Sequence, residues 1–180
     1  MAIKKKNNNT KWIITITILA FTISLIFSLI SELVLPKASM LVGIVLVIIF
    51  ILIGIIFDII GVAVTSADEK PIHSMSARKI KGAKMAVTLK KNASKVSSFC
   101  NDVIGDICGI VSGSAGVTVA VSISNKFNIS LLIVTLLITA LIAAMTIGGK
   151  AAGKGIAMSK SNDILFMFAK VLVIFKREKQ

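Results

Sequence analysis

Four long stretches of the chain are almost purely apolar, and polar residues gather between them. After a basic opening at residues 1–11, with Lys4, Lys5, Lys6 and Lys11, the stretch from Trp12 to Ser31 carries no charge. A second run, Met40 to Val64, is rich in Ile, Leu and Val and is interrupted only by Gly43, Gly54, Asp58 and Gly61. A third covers roughly Ser97 to Val121, and Ile129 to Ile147 is a clean fourth. A helix crosses a hydrocarbon core in about 20 residues, so each run is long enough to span one. The pattern therefore predicts an all-α integral membrane protein with four transmembrane helices, placed at 12–35, 40–64, 97–122 and 129–148. The first run is too long for the core of a signal peptide and lacks a small-residue cleavage site after it, so it reads as an uncleaved helix.

Between the second and third runs the character changes. Residues 65–96 form a basic linker with eight cationic side chains. Past Pro71 it reads as a helix at the membrane surface: Lys81, Lys84, Thr88, Lys91 and Lys95 recur on one face, and Gly82, Ala86, Leu89, Ala93 and Val96 on a neighbouring one. A break is expected at Asn92 to Ser94, with Ser94 capping the helix that follows. Short turns are expected at Pro36 and Lys37 and at Ser124 to Asn128. The tail at 149–180 holds a second surface-helix candidate, Asn162 to Phe175, with Ile164, Leu165, Phe168, Val171, Leu172 and Phe175 on one side.

Composition agrees with lipid as the main solvent: 56% of the residues are hydrophobic and the mean hydropathy is +0.93. A single membrane domain over 1–180 is the simplest division, since no linker or second soluble module interrupts it. The formal net charge of +13 would suit nucleic acid if the basic residues were interleaved with aromatics, but Tyr is absent and Trp12 is the sole Trp. Instead, 19 of the 21 Lys and Arg precede the first run, separate the second from the third, or follow the fourth. By the positive-inside rule both termini and the basic linker are then cytoplasmic, in the cell membrane. The expected partner is the lipid bilayer, not nucleic acid.

Candidate chemistry is sparse, and nothing in it reads as an enzyme. Cys100 and Cys108 are eight apart on one expected helix, about 12 Å, beyond disulfide reach. Gly148 to Lys154 reads G-G-K-A-A-G-K, yet Gly155 stands where a phosphate-binding loop needs Ser or Thr, and no strand precedes it. The informative residues are carboxylates in apolar helices, which are costly and normally face a bundle interior, a partner or an ion path. Asp102 and Asp106 share a helix face at the start of the third span, and Asp58 lies near the end of the second, all at similar depth near the cytoplasmic side. With Ser98 and Asn101 they offer a hard-oxygen set of the kind Mg²⁺ prefers, as a bound or transported ion rather than a required cofactor. Against that stands a structural role, with Asp102 favouring its helix N-terminus and Asp58 paired to a lysine such as Lys95. Gly105, Gly109 and Gly113 form overlapping G-x-x-x-G units, which predict close packing of the third span at the bundle centre and a surface for a homodimer.

From Phe57 onward the order of elements resembles the membrane domain of the cyclin M and CorC/CorB family of magnesium and cobalt transporters. Ala63 to Ser66 are similar to the end of that family's Ser-Glu-Thr-Ala-Leu-x-Ser stretch. Gly82, Ala83, Lys84 and Ala86, then Asn92 to Ser98, fall where the family has Arg-Ala-Lys and Asn-Pro-x-x-Phe-Leu-Ser. Gly149, Lys154 and Ala157 resemble its Gly-Glu-x-x-Pro-Lys-x-x-Ala. Ile60 and Gly61 replace the Ser-Glu pair, Ala93 replaces a proline, Asn101 and Asp106 only approximate the family's Gly-Asn-x-Leu-Val-Asn, the CBS domains are lacking and the first span is extra. The resemblance implies divalent cation transport and a homodimer. A membrane scaffold or regulatory subunit that keeps the fold and acts through helix packing is the other expectation.

Overall fold

Within a long apolar run the backbone can satisfy its own N–H and C=O groups only by coiling into a helix. The computed structural model follows that rule, and it describes residues 2–34 and 39–177. The turn expected at Pro36 and Lys37 lies outside the described residues. The helices are α1 (Ala2–Val34), α2 (Met40–Ser66), α3 (Glu69–Ala77), α4 (Ala83–Lys91), α5 (Ala93–Ser98), α6 (Asp106–Phe127), α7 (Leu131–Ser159) and α8 (Ser161–Arg177). A π-helix, Phe99–Gly105, joins α5 to α6. Four stretches are long and apolar enough to cross a membrane: Thr10–Leu33, Met40–Ser66, Ala93–Phe127 and Leu131–Ser159.

Hydroxyl groups would be costly in such helices if they hung free. Several instead bond within their own helix: Thr15, Thr17 and Thr22 in α1 each donate to the carbonyl four residues back, at 2.8–2.9 Å. Ser112 and Ser122 in α6 and Thr139 and Thr146 in α7 do the same to carbonyls three or four residues back. Polar side chains thus sit in the apolar runs without breaking them.

Two compact units emerge from the chain. One comprises Met1–Gly54 and Asp106–Thr146. Within it α1 packs on α6, Phe27 meets Phe50 edge-to-face at 5.8 Å, and Gly116 lets the side chains of Ile138 and Ile142 come against the α6 backbone. Asn128, at φ 53°, turns the chain between α6 and α7, and the Ser124 hydroxyl donates to the Ile129 carbonyl at 2.7 Å. A wholly apolar cavity of about 240 Å³ opens among Ile44, Val47, Ile51, Val119, Ile142 and Met145.

The other unit comprises Ile55–Gly105 and Ile147–Gln180. Its core joins Val64 and Ala67 at the end of α2 to Ile72 of α3, Ala86 and Leu89 of α4, and Leu165 and Ala169 of α8. The faces read for the basic linker hold, with Lys81, Lys84, Lys91 and Lys95 exposed and Ala86 and Leu89 buried. What the apolar face meets differs from expectation: α4 packs on α3 and α8, because two amphipathic helices bury more surface against each other than either does alone. The linker is also two helices rather than one, turned at Lys79 (φ 55°) and Gly82 (φ 96°). Gly82 tolerates that left-handed conformation without strain. The break at Asn92 is present, but Ser94 is not its cap. Asn92 holds the position before α5, and its amide donates back to the Thr88 carbonyl at 2.9 Å.

Two polar side chains, Lys90 and Asn162, fasten this cluster to the end of α2 and the turn that follows it. The Lys90 ammonium donates to the Thr65 carbonyl at 2.8 Å and to Val64 at 3.4 Å, where the last carbonyls of a helix otherwise lack partners. Asn162 accepts the Asp68 backbone N–H at 2.9 Å.

Candidate functional site

Asp58 is the one charged side chain among the buried residues described, at 6% exposure. It lies on α2 in the stretch Ile-Ile-Phe-Asp-Ile-Ile. Its partner comes from α7, which runs on past the expected end at 148 and carries Lys150 to 3.9 Å from Asp58 Oδ1. That pairing takes the place of the Lys95 contact considered from sequence.

The approach of α7 to α2 has a plain steric cause. Gly149 sits against Ile55, and a Cβ on Gly153 would come within 2.7 Å of Ile59. Gly149 and Gly153 form a G-x-x-x-G unit, with Lys150 between them, and Ile55 and Ile59 flank Asp58. Small residues four apart let the helices close up, and closure brings the ammonium to the carboxylate. The segment whose spacing imitates a phosphate loop is therefore a helix-packing seam.

Asn101 completes the site. One turn along α2 from Asp58, Gly61 leaves room for its carboxamide, and any Cβ at Gly61 would run into Asn101 Oδ1. Asn101 stands in the π-helix, whose wider turn departs from the α-helical register; such turns recur at functional sites. Its amide donates to the Ser97 hydroxyl at 3.5 Å. Among the described residues, two buried side-chain oxygens have no hydrogen-bond partner, Asp58 Oδ2 and Asn101 Oδ1. Buried acceptors of this kind call for a cation, a donor or an ordered water.

The other residues read from sequence are placed differently. Ser98 is half-buried at the end of α5, whereas Asp102 in the π-helix and Asp106 at the start of α6 are exposed. Asp58 Oδ2 and Asn101 Oδ1 are thus the buried acceptors, while Asp102 and Asp106 are exposed. Cys100 and Cys108 are buried free thiols. The third span is the most buried of the four, as expected, and Gly105 is buried, but Gly109 and Gly113 of its ridge are not where it packs. A Cβ on Gly109 or Gly113 would meet nothing within 4 Å, so no helix of the same unit closes on that face. Burial of α6 comes instead through Val111, Ser112, Ala115, Gly116 and Val119. Comparison with protein families, curated proteins and solved structures finds no match to this chain.

Proposed function

We propose that this chain is a multi-pass membrane protein that binds a cation at Asp58 and Asn101 within the bilayer and passes it across. One observation carries the reading: Asp58 Oδ2 and Asn101 Oδ1 are buried oxygen acceptors without partners, on helices apolar enough to span lipid. Ionisable groups are kept in such helices at a cost, and they mark ion pathways. The oxygens are hard ligands suited to alkali and alkaline-earth cations. The resemblance of the chain from Phe57 onward to magnesium and cobalt transporters supports cation transport and supplies Mg²⁺ as the first ion to test. The segregated Lys and Arg support cytoplasmic N- and C-termini in the cell membrane.

A scaffold or regulatory role is the second reading, favoured by the Lys150 ammonium, which already balances Asp58. The open face at Gly109 and Gly113 would there serve a second copy of the chain. Flux into proteoliposomes separates the two, with Mg²⁺, Co²⁺, Mn²⁺ and Na⁺ compared side by side. Transport predicts uptake of at least one ion, lost in Asp58→Asn. Equal, background-level traces for wild type and Asp58→Asn with every ion would leave only the scaffold.

A further inference from the structure

We propose that Lys150 is the specificity-determining residue of the Asp58 site, a tethered counter-charge that an alkali cation displaces and that keeps divalent ions out. The inference rests on the cation-handling reading above and departs from the divalent ion that the family resemblance implies.

The argument is one of charge. Asp58 and Lys150 together carry no net charge, and unbalanced charge between apolar helices is costly. A cation arriving at Asp58 Oδ2 and Asn101 Oδ1 with a single charge replaces the ammonium one for one, and the site is neutral again. A divalent ion making the same exchange leaves a surplus positive charge, and it leaves more if the ammonium stays. Divalent sites relieve that surplus with further carboxylates, but Asp102 and Asp106, the other two of the set read from sequence, are both exposed.

The geometry also leaves the ammonium loosely held at Asp58 itself. At 3.9 Å the ammonium is attracted to Asp58 but lies beyond hydrogen-bonding distance, so no hydrogen bond to the carboxylate must break. Its side chain keeps 21% of its surface exposed, and the four-carbon stem can carry the charge outward while staying packed on the helix. Gly149 and Gly153 hold the α7 backbone against Ile55 and Ile59 whether or not the ammonium is home.

The test is equilibrium binding of ²²Na⁺ to the purified full chain in detergent, with MgCl₂ as competitor. Wild type should bind Na⁺ and resist Mg²⁺ at equal concentration. Lys150→Gln, which removes the resident charge, should bind Na⁺ about tenfold tighter and become sensitive to Mg²⁺. Lys150→Arg, which keeps the pair and with it the fold, should bind Na⁺ about tenfold more weakly, because a guanidinium fork grips a carboxylate harder. Na⁺ affinity unchanged in both variants overturns the role of Lys150 and leaves the cation site standing, as does Mg²⁺ displacing Na⁺ from wild type. No binding of either ion to any of the three proteins overturns the inference and the transport reading together.

Discussion

Asp58 and Lys150 are tied together more tightly by what each would suffer alone than by their mutual attraction. A buried carboxylate that loses its counter-charge is an uncompensated charge in an apolar setting, so Lys150→Ala should destabilise the protein by about 3–5 kcal/mol. Replacing both partners at once, Asp58→Asn with Lys150→Met, should recover most of that loss. Unfolding of Lys150→Ala, Asp58→Asn, Lys150→Met and the double variant in mixed micelles checks it; additive losses in the double variant would mean that the two side chains are not coupled. At this scale the sequence was half readable. Asp58 stands out because a charge within an apolar run has no routine explanation. Lys150 does not, because it follows the fourth apolar run and so looks like one more cytoplasmic lysine. Only the continuation of α7 to Ser159 brings it back to Asp58. The room for Asn101 against Gly61 depends on a π-helix, which hydrophobic periodicity does not encode.

Among the helices, the glycines separate into those that hold a neighbour and those that do not. Gly149→Ala would push a methyl against the Cδ1 end of Ile55 and should cost about 1 kcal/mol, since that side chain can turn aside only by giving up part of its packing. Gly109→Ala meets open space and should be neutral or stabilising by up to about 1 kcal/mol, the usual gain from replacing a helical glycine. Parallel unfolding measurements test the contrast, and a larger loss at Gly109 than at Gly149 would place the packing seam on α6 after all. From sequence the ridge at 105, 109 and 113 looked the stronger because it recurs three times, while Gly149 and Gly153 were hidden in a segment resembling a phosphate loop. The amphipathic faces of α4 and α8 were legible residue by residue. Their mutual packing was not, because a helix face records that something covers it and not what.

For the molecule as a whole, four predominantly apolar runs were enough to read four spanning-length helices, and the differences lie in their ends and in the π-helix that opens the third. The orientation proposed for them is open to a direct check. In a background of Cys100→Ala and Cys108→Ala, an impermeant thiol reagent outside the cell should label a cysteine at Lys126 and miss one at Lys84. Labelling at Lys84 would invert the topology. The linker cluster offers its own reporter through amine chemistry. Lys90 is half-buried with its nitrogen donating to two carbonyls of α2, whereas Lys84 and Lys91 beside it are exposed. An acylating reagent should therefore modify the exposed Lys84 and Lys91 readily and reach Lys90 only when α4 lifts from the end of α2. The acylation rate at that one nitrogen then becomes a clock for how often the linker lets go.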